Sequence, residues 1–153
     1  MTRTRLLRSL WMTASAASLF ALFGLVNAAE PDPKALEYKL PENIKWTGKG
    51  AQTAVLYGDP AKDGLYIEMM KWPPGTGSRP HSHPSDRFIT VISGTWWVGT
   101  GANYDMATTK AMPAGSFVMH HANELHYDGA KDGEVTLQIV GIGPADTRQA
   151  EKK

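Results

Sequence analysis

Turn formers interrupt this chain so often that little room is left for a helix. There are 15 glycines and 10 prolines among 153 residues. Glycine accepts a positive φ and proline removes a backbone donor, so this punctuation favours short strands joined by turns. Beyond residue 28 no stretch sustains a helical apolar period. Short apolar runs recur instead, at roughly the 8–12-residue spacing of a sandwich or barrel. They cover residues 53–57, 65–70, 88–92, 96–98, 117–119, 125–127 and 135–140. Asp63-Gly64 reads as a hairpin turn, and Ser93-Gly94 closes residues 88–92 against the return strand 96–98. Trp72-Pro73-Pro74-Gly75, Pro113-Ala114-Gly115 and Asp132-Gly133 supply further turns. The expected fold class is all-β: one antiparallel β-barrel or double-sheet jelly roll over residues 53–144. A Pro-rich arm and first-strand residues (29–52) precede it. A polar tail (145–153), disordered or a short helix, follows it.

The first 28 residues have a different character. Arg3, Arg5 and Arg8 precede an uncharged, mostly apolar stretch from Leu10 to Val26, and Ala28-Ala29 ends it. Basic start, apolar middle and small-residue exit are the order of a secretory signal peptide, with cleavage after Ala28 or Ala29. An uncleaved anchor is the alternative, but the stretch falls a little short of the ~20 apolar residues that span a bilayer. Loss of residues 1–28 takes three of the 16 bases and none of the 15 acids, turning a net charge of +1 into −2. The expectation is a periplasmic or secreted protein with no membrane attachment after cleavage. Neither net charge carries an electrostatic footprint for nucleic acid. Cysteine is absent, which excludes disulfides, thiolate metal sites, iron–sulfur clusters and thiol nucleophiles.

The 5 histidines are His81, His83, His120, His121 and His126. His81 and His83 alternate, so in a strand both imidazoles face one side. Neutral imidazole is the commonest nitrogen ligand of divalent metals. A His-x-His pair alone is a weak signal. Its surroundings strengthen it: Gly75, five residues, His81-Ser82-His83, three residues, Arg87, six residues, Gly94. Further on, Gly115 is followed after five residues by His121-Ala122-Asn123-Glu124-Leu125-His126.

These two spacings closely resemble the two motifs of the cupin superfamily, and the wording resembles small exported bacterial cupin-2 proteins. The resemblance implies a cupin-type jelly-roll barrel, also called a double-stranded β-helix. It implies His81, His83 and His126 as ligands of a divalent metal, with Fe(II) favoured and Mn(II) or Zn(II) as alternatives. Many cupins are dimers, so it also implies a homodimer. Three positions depart from the pattern. Arg87 stands where cupins carry the glutamate ligand, His121 replaces a proline, and Asn123 replaces a glycine. Asn tolerates the left-handed turn that the glycine serves.

Arginine stays protonated and cannot ligate a cation. Three readings of the metal are open: three neutral imidazoles with open positions, Asp86 swinging in as a fourth ligand, or a site that has lost its metal. Arg87 either points inward, where it could clamp a substrate anion, or outward as a surface charge. Asp86 is its candidate salt-bridge partner. His121 is a candidate general base or hydrogen-bond donor at the pocket mouth, against the alternative of a solvated loop residue. His120 is expected to be solvated, and so is Glu124. Of the neighbours Trp96 and Trp97, one is expected to line the cavity and the other to pack outside. Tyr66, Met69, Met70, Phe88 and Met119 read as core or pocket wall. Arg87 and His121 are thus the candidate catalytic residues. The expected activity is a metal-dependent, dioxygenase-like reaction on a small anionic molecule. A lyase or isomerase and a non-catalytic binding protein are the alternatives.

Overall fold

Nine-residue Gly64–Trp72 shows how the sequence sorts itself. Tyr66, Glu68, Met70 and Trp72 alternate with Leu65, Ile67, Met69 and Lys71, so one set turns inward and the other outward. A computed structural model describes residues 29–150 and contains ten strands. They are β1 (Gln52–Tyr57), β2 (Gly64–Trp72), β3 (His81–Ser82), β4 (Arg87–Ser93) and β5 (Thr95–Thr100), then β6 (Lys110–Pro113), β7 (Phe117–His120), β8 (His126–Gly129), β9 (Val135–Gly143) and β10 (Arg148–Gln149). Two short 3-10 turns lie at Pro41–Asn43 and Met106–Thr108. The expected signal peptide lies outside the described residues. Among the described residues no helix is long and apolar enough to cross a membrane.

Residues 29–37 belong to a different unit from the one, beginning at Tyr38, that carries the strands. Their turn is closed on Asp32, whose carbonyl accepts from the amides of Ala35 and Leu36 at 3.0 Å. The rest of the described chain is two five-stranded antiparallel sheets, in the orders β1-β2-β9-β4-β7 and β10-β3-β8-β5-β6. This is the expected all-β jelly roll. β9 is the spine of the first sheet. It pairs with β2 along that strand's whole length, from Gly64↔Gly143 to Trp72↔Val135, and with β4 on its other edge. Tyr66, Ile89, Val91, Trp96, Leu137 and Ile139 fill the space between the sheets. Burying each such side chain contributes about 1.5–3 kcal/mol.

One turn differs from expectation. β4 and β5 are not a hairpin: they lie in different sheets, so Ser93-Gly94 is a corner at which the chain changes layer. Gly94 sits there at φ +77°, and a Cβ would lie 2.2 Å from the Glu134 carbonyl oxygen, so only glycine fits. Asp132-Gly133 likewise joins β8 to β9 across the layers. Asp63-Gly64 does close a hairpin, between β1 and β2. The tail also differs. Arg148 and Gln149 form a strand, pairing with Ser82 and His81 of β3. The unpaired edge of a two-residue strand offers backbone groups to any passing segment, and the tail takes them.

Candidate metal centre

β3 brings His81 directly opposite His126 of β8. His83 follows one residue beyond β3. The three rings gather with centroids 4.4–5.2 Å apart, and all three residues are buried. One ligand nitrogen from each lies within 4.8 Å of the others, close enough to hold a metal ion. The outer nitrogens are tied down. His81 Nδ1 donates to the Arg79 carbonyl at 2.7 Å, His83 Nδ1 to the Asp146 carbonyl at 2.9 Å, and His126 Nδ1 to the Glu124 carbonyl at 3.1 Å. A carbonyl only accepts, so each bond puts the proton on Nδ1 and the lone pair on Nε2. Backbone carbonyls that fix the tautomer and aim the ring are the usual support of metal-ligating histidines.

Burial also keeps the rings of His83 and His126 neutral. Desolvation, followed by the Arg87 charge, lowers the pKa of His83 to about 4. Desolvation and the neighbouring His81 lower that of His126 to about 3. Both therefore keep an unprotonated Nε2 at neutral pH.

Gly75 and Gly115, the opening glycines of the two spacings, take positive φ of +71° and +87°. Asn123 takes φ +65°, the left-handed conformation expected of a glycine substitute. Asp86 is not a fourth ligand and does not pair with Arg87. Its Oδ1 accepts from the Ala122 amide at 2.8 Å and so anchors the loop that leads to His126. Glu124 is exposed.

Arg87 points inward. Its Nε donates to the Tyr66 hydroxyl at 2.9 Å, and its Nη1 donates to His83 Nε2 at 2.9 Å. Its Nη2 lies 3.6 Å from Glu68 Oε1, and both side chains are nearly buried. Burial raises the pKa of Glu68, and Arg87 partly offsets that rise. The guanidinium thus sits between a buried carboxylate and a histidine of the cluster.

The two adjacent histidines are placed opposite to expectation. His121 is exposed and lines a shallow surface depression with Asp86, Asn123 and Glu124, away from the clustered rings. His120 is the buried one. It ends β7 on the inward parity of Val118 and lies directly across from Arg87. Desolvation, with His126 as the next cause, lowers its pKa to about 2. The sequence reading also missed Glu68 and Asp128. Both had a signal: Glu68 shares the inward parity of Tyr66 and Met70, and Asp128 shares that of His126. Trp96 is buried against the cavity, while Trp97 lies outside, with Lys131 Nζ 3.6 Å from its ring centre.

A cavity of about 220 Å³ opens between the sheets. Met70, Trp72, Ile89, Trp96, Leu137 and Ile139 form its apolar wall, and His81, His83, Arg87, His120 and Asp128 its polar one. Thr147 and Gln149 of the tail help close it.

Two layered sheets around a buried histidine cluster define a double-stranded β-helix with a candidate metal centre. No model of a known protein family matches the chain, and no curated protein matches it. Solved structures do. The polyketide cyclase RemF of Streptomyces resistomycificus superposes with a TM-score of 0.65 at 15% identity, over 77% of this chain and 87% of the cyclase. A cupin-2 domain protein of Rhodospirillum rubrum gives 0.60 at 12% identity, over 76% and 81%. KdgF of Halomonas gives 0.56 at 15% identity, over 70% and 94%. The chain shares its fold with these structures, a cupin-2 domain among them.

Proposed function

We propose that the protein is an exported, metal-dependent enzyme that acts on a small anionic molecule inside the barrel. One observation carries this reading: three carbonyl-anchored imidazoles bring one ring nitrogen each within 4.8 Å of the others beside a mostly apolar cavity. Three neutral nitrogen ligands leave positions open for substrate, as catalytic metal sites do. A ferrous ion there would supply oxygen chemistry, and Mn(II) or Zn(II) would supply a Lewis acid.

The chain's own residues do the rest. The apolar wall excludes water and strengthens charge interactions inside it. Arg87, held by Tyr66 and Glu68, offers a fixed cation to a substrate carboxylate or enolate. His120 stays neutral and serves as a hydrogen-bonding partner. The cavity volume limits the substrate to a small molecule.

The test is anaerobic reconstitution with Fe(II), Mn(II) or Zn(II), followed by oxygen-uptake and product screens on small carboxylates. Oxygen uptake with Fe(II) alone supports an oxygenase. A second reading, a lyase or isomerase, draws support from the DMSP lyases that share the fold at 15–16% identity. Turnover without oxygen, with Mn(II) or Zn(II), selects it. Metal binding with no turnover of any carboxylate selects a binding protein and overturns both.

For the assembly we propose a homodimer through the outer face of the first sheet. Leu65, Phe88, Phe117 and Ile142 are exposed there, with the Phe88 and Phe117 rings stacked at 6.5 Å. A two-fold partner presents the same apolar face and so covers it.

A further inference from the structure

Among the described residues, one further group stands close enough to hold a cation: His120, His126 and Asp128, whose ligand atoms also lie within 4.8 Å of one another. All three are buried. His126 and Asp128 alternate on β8 and face the same way. His120 arrives from the end of β7, its ring centre 3.6 Å from that of His126. Ser78 Oγ donates to Asp128 Oδ1 at 2.8 Å, which orients the carboxylate and leaves its second oxygen for an ion.

A separate observation points to a ligand. The Nε2 atoms of His120 and His126 are buried and have no hydrogen-bond partner. A buried polar atom without a partner costs free energy unless something fills its lone pair. His83 Nε2 is in the opposite state, because Arg87 already donates to it. The donor sets differ as well. His81, His83 and His126 bring no charge, and a guanidinium stands against them. His120, His126 and Asp128 bring two imidazoles and a carboxylate, a set associated with ferrous sites that keep open positions.

We propose that His120, His126 and Asp128 form a second seat for a divalent cation in the barrel cavity, alternative to the His81–His83–His126 seat because both need His126 Nε2. The proposal rests on the reading that the cavity binds a metal. Arg87 biases the choice: its guanidinium must leave His83 before that nitrogen can ligate, whereas no side chain or backbone group of the described residues hydrogen-bonds Nε2 of His120 or of His126.

Titration with Co(II), followed by calorimetry and visible absorption, tests this. The wild-type protein is expected to bind one equivalent. The double variant His81→Ala/His83→Ala is expected to keep one equivalent, and adding Asp128→Asn to it is expected to abolish binding. In the otherwise intact chain, Asp128→Asn is expected to weaken Co(II) binding, because a charged ligand is replaced by a neutral amide. A folded double variant that binds no Co(II), or one indifferent to Asp128→Asn, overturns the second seat and leaves the first standing. Wild-type protein that binds no Co(II) overturns both. If circular dichroism shows that the double variant does not fold, Asp128→Asn and His120→Phe in the intact chain decide. Unchanged affinity and absorption in both then overturn the proposal.

Discussion

At the scale of single residues, Arg87 is the position where this chain departs furthest from the cupin pattern. It faces Tyr66, Glu68 and His83 at once. Arg87→Gln removes a cation from the cluster and frees His83 Nε2, so Zn(II) affinity should rise, by about tenfold if 1.4 kcal/mol of repulsion is relieved. The same change leaves Glu68 without its counter-charge, and a buried group that loses its partner costs about 1–3 kcal/mol. Calorimetric zinc titration and urea denaturation should therefore move in opposite directions. Equal zinc affinity in both proteins would mean that Arg87 does not influence the ion.

The histidines make a separate prediction for metal-free protein. His83 and His126 have folded pKa values of about 4 and 3, below the ordinary 6.5. As pH falls through 6.5 the unfolded chain takes up protons that the folded chain refuses. Stability therefore drops by about 1.4 kcal/mol per pH unit for each ring, until the folded values are reached. Glu68, with its raised pKa, acts in the opposite sense. Comparing denaturation of wild type and His126→Phe at pH 7 and pH 5 isolates the histidine contribution. The variant should lose less stability on acidification than the wild type.

At the scale of elements, the tail belongs to the site. The Asp146 carbonyl fixes the His83 tautomer, β10 pairs with β3, and the Ala150 amide donates to the Pro80 carbonyl at 2.9 Å. Deleting residues 146–153 should leave the barrel folded, because its core strands lie elsewhere. It should weaken metal binding by about 10–100-fold, the usual cost of losing a ligand's outer hydrogen bond. Metal titration and circular dichroism of the truncated chain check this, and unchanged affinity would remove the tail from the site. The corner at Gly94 gives a stability counterpart. Gly94→Ala forces a Cβ against the Glu134 carbonyl at positive φ. It should cost about 1–3 kcal/mol, read from thermal denaturation, with metal affinity retained.

At the scale of the whole molecule, the apolar core does not depend on the cluster. Ile89, Val91, Val135, Leu137 and Ile139 are almost fully buried in one apolar cluster. Chelation should therefore leave the fold intact and lower Tm only by the linkage amount, about 2.7 kcal/mol of stability at a metal concentration 100 times Kd. Unfolding on chelation would mean that the metal holds the barrel together. For the proposed dimer, sedimentation velocity is expected to show a species of twice the monomer mass, which Phe88→Glu converts to monomer. A monomeric wild-type protein rules out that interface.

The sequence by itself determined the all-β class, most strand positions, the candidate ligands His81, His83 and His126, and the left-handed role of Asn123. All of these are local: parity along a strand, spacing between glycines, the φ a residue tolerates. Only the tertiary structure decided that Ser93-Gly94 is a corner, that the tail is a strand, that His120 is buried while His121 is exposed, and that the partner of Arg87 is Glu68. Each of these depends on which strands meet across the sandwich. β2, β4, β7 and β8 are distant in sequence, and the packing of two sheets brings their inward side chains into one cavity. Strand parity states that Glu68 and Arg87 both point inward. The order of strands around the barrel sets them 3.6 Å apart.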